Sequence, residues 1–344
     1  MRGFGFREHG GPEVLEYVEV PEPVPGPGEI RVRIEAAGFN RLDLFTRDGI
    51  PGVPIERPHV LGSDGAGRVD RLGPGVDGPA PGTPILLNPG LWDGTCPACR
   101  AGQECLCRQY RIVGEHTQGT AAPFVVVPAR NVHPRPASLD VVAAAAAPLV
   151  FQTAYRALRT VGELREGERC AIVGAGGGVA TAAIQIARMV GARVAVATRS
   201  REKGERAAAL GAEPVVFDEE TPLDKALWTW SEKQGVDVVF DSIGAPTLAR
   251  SVRALARGGR VVVIGATGGP KVEIDVRPLF WRQASVRGST MASAREFDEV
   301  LAHLAAGRLR PIVDRSFPFE AGREALARMD APDLFGKVVL RVGP

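Results

Sequence analysis

The sequence predicts an α/β protein in which a doubly wound, six-stranded parallel sheet domain is joined to a second, mostly β domain. Three observations lead to this prediction. Residues 1–150 contain short β-branched runs separated by Gly and Pro, and residues 151–290 alternate short apolar runs with segments of helical periodicity. The glycine-rich segment Gly174–Gly178 joins one of these runs to the helical segment after it. Because repeated strand–helix units place their strands side by side in parallel, the alternation predicts the sheet.

Length and composition limit the possible classes of protein. The chain has 344 residues, 44% of them hydrophobic, which is enough for two domains with buried cores. A net charge of +2 gives no sign of a nucleic-acid partner or an anionic membrane surface. No targeting segment and no apolar run of membrane-spanning length is present. We therefore expect a cytoplasmic protein that acts on a small molecule.

The first domain is predicted from short strands between turn signals. These strands are Leu15–Val20, Ile30–Ala36, Gly65–Leu72 and Phe124–Val127. From Leu139 the composition becomes Ala-rich, which predicts helices at Val141–Ala147 and Thr153–Leu158.

Six further strands alternate with helices and predict the parallel sheet. The strands are Cys170–Val173, Arg193–Ala197, Pro214–Phe217, Val236–Phe240, Arg260–Ile264 and Ala284–Arg287. The helices between them extend to Met189 and Leu210 and over Leu223–Glu232 and Thr247–Ala256. A final helix at Glu296–Ala306 and strand at Lys337–Val342 are expected to rejoin the first domain. The predicted domains are therefore 1–150 with 291–344, and 151–290.

The glycine-rich turn is the first candidate binding site. A pyrophosphate can lie against such a turn, because the unpaired N–H groups and the dipole at a helix N-terminus favour an anion. The alternative is a close strand–helix crossing with no ligand. The candidate residues are Gly174, Gly176, Gly177, Gly178 and Val179.

The end of the second strand of the sheet predicts which dinucleotide is preferred. An NAD-specific fold places an Asp or Glu there on the ribose 2′-hydroxyl, and this chain has Thr198. Arg199, Ser200 and Lys203 supply charge and donors for a 2′-phosphate. We predict NADPH, with NADH possible if these residues form only a solvated loop.

Residues at the ends of two later strands could flank the nicotinamide. In such sheets, ligands bind at the carboxyl ends of strands. The candidates are Ile243, Ile264, Gly265 and Ala266, and the alternative is a pair of ordinary strand–helix turns.

With these residues in place, the chain resembles the medium-chain dehydrogenase/reductase superfamily along its whole length. The matching motifs are Gly10–Leu15, Ala36–Asp43, His59–Gly62, the glycine-rich turn, Gly288–Met291 and Phe335–Leu340. The resemblance implies a GroES-like, mostly β catalytic domain, a Rossmann cofactor domain, and hydride transfer from nicotinamide in the cleft between them. It also implies a homodimer or homotetramer that pairs the last Rossmann strand, and cofactor contacts from Asn40, Thr153, Ser289 and Lys337.

The resemblance also indicates a branch of the superfamily. Where zinc alcohol dehydrogenases hold a catalytic metal with Cys and His, this chain has Asn40 and Ser63, and no third Cys occurs within residues 149–152. Asp64 alone cannot build a site, and amides and hydroxyls are poor zinc ligands. We expect no catalytic zinc, as in the quinone oxidoreductase and enoyl reductase branches. No Tyr occurs in Thr46–Glu56, just after the Asn40 loop, which weakens the enoyl reductase interpretation.

Three residues at or near the position of the catalytic metal in zinc alcohol dehydrogenases are the candidate catalytic residues. The resemblance places Asn40 beside the nicotinamide ribose and the substrate, although its amide could instead satisfy local backbone groups. Asp43 is expected to support the loop rather than act as a base, and Ser63 replaces the metal-binding His.

A second cluster predicts one structural zinc ion within residues 93–107. The family spacing of four ligands falls on Asp93, Cys96, Cys99 and Cys107, so an Asp replaces the first Cys. A carboxylate is a competent zinc ligand. Cys105 is the alternative fourth ligand, and a lobe without metal is the remaining alternative.

The sequence therefore predicts an NADPH-preferring oxidoreductase that reduces quinones or other activated, carbonyl-conjugated compounds. The alternatives are an alcohol or aldehyde dehydrogenase and an NADPH-binding protein with little turnover.

Overall fold

The computed structural model describes residues 1–343, and the chain divides into two compact units. Unit 1 comprises Met1–Val150 and Ser293–Pro344, and unit 2 comprises Phe151–Ala292. The second unit is thus inserted in the sequence of the first. Among the described residues, no helix is long and apolar enough to cross a membrane.

The first segment of unit 1 is mostly strand. Its strands are β1 (Arg2–Phe6), β2 (Leu15–Glu19), β3 (Glu29–Phe39), β4 (His59–Val60), β5 (Asp64–Leu72), β6 (Pro84–Leu87), β7 (Gly90–Leu91), β8 (Arg111–Ile112), β9 (Phe124–Pro128) and β10 (Val132–Pro134). Its helices are α1 (Arg41–Asp48), α2 (Pro97–Arg100) and α3 (Val141–Ala145), and α4 (Pro148–Tyr155) contains the boundary to unit 2.

Unit 2 has the predicted alternation of strands and helices. Its strands are β11 (Arg169–Val173), β12 (Arg193–Thr198), β13 (Glu213–Val216), β14 (Val236–Asp241), β15 (Leu255–Val263) and β16 (Ser285–Gly288). Its helices are α5 (Gly178–Val190), α6 (Arg201–Ala208), α7 (Leu223–Trp230), α8 (Leu248–Ala254) and α9 (Arg277–Arg282). The chain then returns to unit 1 with α10 (Ala294–Ala305), β17 (Val313–Pro318), α11 (Gly322–Arg328) and β18 (Lys337–Arg341).

The six strands of unit 2 form one parallel sheet in the order β13-β12-β11-β14-β15-β16. The order reverses direction between β11 and β14, which is the switch point at which ligands bind in doubly wound sheets. The strands are almost fully buried at the centre, as expected for a sheet covered by helices on both faces. The predicted fold class is confirmed.

The main sheet of unit 1 has the order β10-β6-β5-β3-β18-β17, and β9 also pairs with β3. Strand β3 pairs antiparallel with both β5 and β18, so that Gly38 is opposite Asp64 and Phe39 is opposite Val338. This register brings the C-terminal strand beside the start of α1. A Cβ atom at Gly38 would lie 2.0 Å from the carbonyl oxygen of Ala145, so this position requires glycine.

Several element boundaries differ from the prediction. The helix expected at Thr153–Leu158 begins at Pro148, because proline is well placed in the first turn of a helix, and Arg156–Val161 continues as a π-helix. The helix expected to reach Ala256 ends at Ala254, and β15 starts at Leu255 rather than Arg260. Strands β1, β4, β6, β7, β8, β10 and β17 were not predicted, since most have too few residues to show a strand period.

Candidate active site and metal centre

The glycine-rich turn leads from β11 directly into α5. Gly174 has φ +91°, a left-handed conformation that favours glycine, and its N–H donates to the Ala197 carbonyl at 2.9 Å. The first N–H groups of α5 have no partner within the helix. A Cβ atom on the exposed Gly177 would meet no protein atom within 4 Å, so the space above this turn is open. These donors and this space fit a pyrophosphate group.

The end of β12 presents four polar residues with different environments. Thr198 is buried and its Oγ1 accepts from the Ser200 N–H at 3.1 Å, while Ser200 Oγ accepts from the Lys203 N–H at 3.3 Å and caps α6. Arg199 is exposed and makes no hydrogen bond or ion pair with any residue from 1 to 343. Its guanidinium is therefore available to an anion.

The carboxyl ends of β14, β15 and β16 lie side by side. The Ile264 N–H donates to the Asp241 carbonyl at 3.0 Å, and the Ser289 N–H donates to the Val263 carbonyl at 2.9 Å. Ile243 follows β14 at the same edge, and Gly265 and Ala266 follow Ile264. The predicted nicotinamide residues of unit 2 thus share one edge of the sheet. Thr153 belongs to the same unit, and its hydroxyl lies 3.9 Å from Met291 Sδ.

Asp241 was not predicted, yet it fixes the turn that carries Ile243. Its carboxylate is fully buried, and Oδ1 accepts from the N–H groups of Ile243 and Gly244 at 2.9 and 3.1 Å. Thr247 and Ser251 donate hydroxyl hydrogen bonds to the same carboxylate at 2.8 to 3.0 Å. An Asp at a strand end followed by a Gly three residues later was the available sequence signal.

Asn40 lies in a buried polar cluster within unit 1. Lys337 Nζ donates to Asn40 Oδ1 at 2.5 Å and to Asp64 Oδ2 at 2.8 Å, and Asn40 Nδ2 donates to the same Asp64 oxygen at 2.9 Å. The other Asp64 oxygen accepts from the Leu149 N–H at 2.7 Å. All three side chains are at most 5% exposed. The contacts fix the amide of Asn40 with its oxygen toward a cation and its nitrogen toward a carboxylate.

Asp43 and Ser63 occupy the adjoining loop. Asp43 is fully buried, and its two oxygens accept from the Asn40 and Gly62 N–H groups at 2.6 and 2.7 Å, an arrangement that supports the loop. Burial raises the pKa of Asp43 to about 7, against the opposing effects of these two donors and of Lys337. Ser63 is also buried, and its Oγ has no hydrogen-bond partner in the described chain.

The predicted metal ligands converge in the lobe around α2. Cys96 Sγ and Cys99 Sγ are 3.6 Å apart, Cys107 Sγ and Asp93 Oδ2 are 3.3 Å apart, and the four ligand atoms all lie within 4.8 Å of one another. Tetrahedral zinc with bonds of about 2.3 Å to sulfur requires ligand separations of about 3.8 Å, so the set fits the ion. Cys105 is buried nearby but does not belong to this group.

Local hydrogen bonds prepare Asp93 for this position. Asp93 Oδ1 accepts from the Thr95 and Cys96 N–H groups at 2.6 and 2.8 Å, which leaves Oδ2 facing the thiols. These backbone donors hold the pKa of Asp93 well below its usual range. The carboxylate is therefore ionised, which is the state required for binding a metal cation.

Comparison with known proteins supports the family indicated by these sites. Residues 26–137 match the family described as "Alcohol dehydrogenase GroES-like domain", and residues 178–306 match "Zinc-binding dehydrogenase". A crystal structure of an NAD-dependent alcohol dehydrogenase is 42% identical, with a TM-score of 0.94 over 100% of both chains. The chain belongs to the medium-chain dehydrogenase/reductase superfamily.

Other similar proteins in this superfamily have names that differ from that of this relative. A zinc-type alcohol dehydrogenase-like protein of Schizosaccharomyces pombe is 32% identical over 95% of this chain and 94% of its own length. The quinone oxidoreductase of Lama guanicoe is 29% identical over 99% of this chain and 97% of its own. This medium-chain dehydrogenase/reductase is accordingly an NAD(P)H-dependent oxidoreductase.

Proposed function

We propose that this protein reduces quinones or other activated, carbonyl-conjugated compounds with NADPH, without a catalytic zinc ion. The observation that carries the proposal is the cluster of Asn40, Asp64 and Lys337. Oxidation of an alcohol requires loss of the hydroxyl proton, which the zinc enzymes of this superfamily promote with a Lewis acid. Delivery of hydride to an electron-poor acceptor does not, so a site lacking zinc ligands suits the reductive reaction.

The side chains of this cluster and of the neighbouring Ser63 do not form a set of zinc ligands. Asn40 supplies an amide and Ser63 a hydroxyl, whereas zinc sites use thiolate, imidazole or carboxylate ligands. The carboxylate of Asp64 already accepts hydrogen bonds from Lys337, Asn40 and Leu149. The Lys337 ammonium among these oxygens would repel a divalent cation.

The chain's own residues would bind and orient the dinucleotide, whose nicotinamide supplies the hydride when bound. The N–H groups that begin α5 bind the pyrophosphate, and Asp241 holds the Ile243 turn in one conformation. Arg199 pairs with the ribose 2′-phosphate. Lys337 holds the amide of Asn40 in a single orientation, because its ammonium can contact only the oxygen.

The reaction is tested by following NADPH oxidation with a panel of quinones and conjugated carbonyl compounds. We expect turnover with these acceptors and none when NADP⁺ is supplied with primary or secondary alcohols. Alcohol oxidation at a comparable rate would favour the alternative, a dehydrogenase like the 42% identical relative. Tight cofactor binding with no turnover on any acceptor would favour a cofactor-binding protein.

The cofactor preference is tested with Arg199→Asp. Loss of one charge-assisted hydrogen bond and addition of a repulsive charge should lower the NADPH to NADH ratio of kcat/KM by at least about tenfold. Lys225→Asp, at an exposed position of α7, makes the same change of charge and should leave the ratio unchanged. An unchanged ratio in Arg199→Asp would contradict the NADPH assignment.

The proposal extends to the metal and to assembly. One structural zinc ion is held by Asp93, Cys96, Cys99 and Cys107, which close all four positions of a tetrahedral site. Two copies, or four, associate through the edge strand β16, in which Val286 is exposed, together with the preceding α9 segment, in which Val276 and Phe280 are exposed. We also propose that the protein is cytoplasmic, which cell fractionation tests.

A further inference from the structure

Unit 2 has a groove at the ends of its strands opposite to the cofactor turn. The groove has a volume of about 610 Å³ and is lined at the starts of β11, β14 and β15 and at the ends of α7 and α9. Arg169 is the first residue of β11, whereas Gly174 follows its last. The groove therefore lies at the amino ends of the strands, and its volume is within the range of small-molecule sites.

Positive charge dominates the lining. Four cationic side chains face one carboxylate, that of Asp237, which already accepts two hydrogen bonds from the guanidinium of Arg169 at 2.9 and 3.0 Å. The other three cations, Lys233, Arg257 and Arg282, form no ion pair within residues 1–343. A concave surface with unbalanced positive charge raises the local concentration of anions.

Two tryptophans add aromatic surface to the same groove. Trp228 is 38% exposed and Trp281 is 69% exposed. The Arg282 guanidinium lies 5.8 Å from the centre of the Trp228 ring, so a cation and an aromatic face are adjacent. Exposed aromatic faces beside cations are the surfaces on which planar aromatic rings stack.

The walls of the groove are held in place by backbone contacts. Arg282 Nη1 donates to the carbonyl oxygens of Arg253 and Leu255, both at 2.7 Å, and Arg257 Nη1 donates to that of Trp281 at 3.3 Å. Lys233 has φ +64° and follows Glu232 at φ +55°, a left-handed pair that is unfavourable for residues other than glycine.

We propose that this groove binds a planar aromatic anion, separately from the cofactor. The ring contacts Trp228 and Trp281, and the anionic group pairs with Lys233, Arg257 and Arg282. The proposal is independent of the proposed reaction, because none of these residues belongs to the cofactor turn or to the Asn40 cluster.

The probe for this site is 8-anilinonaphthalene-1-sulfonate, an anion with a planar naphthalene ring whose emission rises on binding. It is titrated into the full-length protein with NADP⁺ in excess, so that the cofactor site does not contribute, and energy transfer from tryptophan is recorded. We expect Trp281→Ala and Lys233→Glu each to weaken binding by about tenfold. Both positions are exposed, so both variants should retain the wild-type circular dichroism spectrum.

Two controls make the outcome decisive. Lys225→Glu reverses a charge on α7 outside the groove, and Trp92→Phe changes a tryptophan in unit 1, and both should bind the probe within about twofold of wild type. Equal affinity in Trp281→Ala, Lys233→Glu and wild type would overturn the proposal. An affinity that falls as the protein concentration rises would also overturn it, by showing that a second copy of the chain covers the groove.

Discussion

At the scale of single residues, the most unusual feature is the buried ion pair between Lys337 and Asp64. Lys337 and Asp64 are 3% and 0% exposed at the side chain, and their 2.8 Å contact is supported by Asn40 and by the Leu149 N–H. Removing two charges from water is costly, and hydrogen bonds to the remaining polar atoms offset that cost. Each of the two buried charges is therefore stable in the interior only while the other is present.

This dependence predicts a non-additive double-mutant cycle. Asp64→Asn and Lys337→Met should each lower the free energy of unfolding by about 3 to 5 kcal/mol, because each leaves an uncompensated buried charge. The double variant should lose at least about 1 kcal/mol less than the sum. Urea denaturation at pH 7.5 measures all four proteins.

The exposed pair Arg295–Glu299 on α10 provides the control for this cycle. Its side chains are 87% and 38% exposed, so Arg295→Ala should change the free energy of unfolding by less than about 0.5 kcal/mol. Strictly additive losses at Asp64 and Lys337 would show that the pair is not coupled.

Asp43 predicts a pH dependence of stability. Its folded-state pKa is about 7, above its value of 3.8 in the unfolded chain, so between these limits the folded state binds a proton that the unfolded state releases. The stabilisation is complete below pH 4 and is lost as pH rises through 7. The slope approaches about 1.4 kcal/mol per pH unit.

The measurement compares urea denaturation of wild type and Asp43→Asn at pH 5, 6, 7 and 8. Asn40 and Gly62 lose one acceptor in the variant, so its stability is lower at every pH, but it lacks the titrating group. The difference between the two proteins should shrink as pH rises. Parallel pH profiles would refute the assignment of the titration to Asp43.

At the scale of elements, the metal lobe differs from the rest of unit 1. It is built from the short helix α2 and turns, and three of its ligands are cysteines within residues 96–107. Because this segment is short, it has little apolar surface to bury. We therefore expect its folded conformation to depend on a bound ion. Metal binding then supplies folding free energy to the lobe.

The ligand set predicts different zinc contents in two variants. Asp93→Ala removes a ligand and should reduce bound zinc below one ion per chain, while Cys105→Ala should retain one ion. Atomic absorption after gel filtration measures the content. Zinc lost only from Cys105→Ala would identify Cys105 as the fourth ligand.

Removal of the zinc ion should affect the metal lobe and leave cofactor binding by unit 2 unchanged. Treatment with a zinc chelator should increase protease cleavage within residues 93–107, because the lobe loses its ligand contacts. Binding of NADP⁺ should persist, since the residues proposed to bind its phosphates lie in unit 2. Equal protease resistance with and without zinc would contradict a structural role for the ion.

At the scale of the whole molecule, the parallel sheet leaves β16 as an edge strand. An edge presents unpaired N–H and C=O groups. Val286 in this strand is 39% exposed, and Val276 and Phe280 in the segment that precedes it in the sequence are 63% and 67% exposed. Exposed apolar residues next to an open edge are typical of an interface between chains.

We therefore predict that Phe280→Glu with Val286→Glu produces a monomer. Charges at these positions would be buried without partners if two copies paired through β16. Light scattering after gel filtration measures the mass of the assembly. Val24→Glu alters a residue of unit 1 that is 75% exposed and should leave the mass unchanged. An unaltered mass in the double variant would place the interface elsewhere.

The sequence alone determined the features that depend on neighbouring residues. The alternation of strands and helices predicted the six parallel strands, and the spacing of glycines predicted the turn at Gly174. The ligand spacing predicted the group of Asp93, Cys96, Cys99 and Cys107, whose ligand atoms lie close together in the fold. These patterns are visible because strand and helix periodicity and ligand spacing are local properties. The short strands of unit 1 were not predicted because segments of so few residues show no strand period.

Only the tertiary structure decided the environment of Asn40. Lys337 is 297 residues from Asn40 in the sequence, and it reaches that amide because β18 pairs with β3 at Phe39. Asp64 joins them because β5 pairs with the other edge of β3 at Gly38. The cost of burying a charge depends on every group around it, and such contacts between distant segments leave no periodic pattern in the sequence.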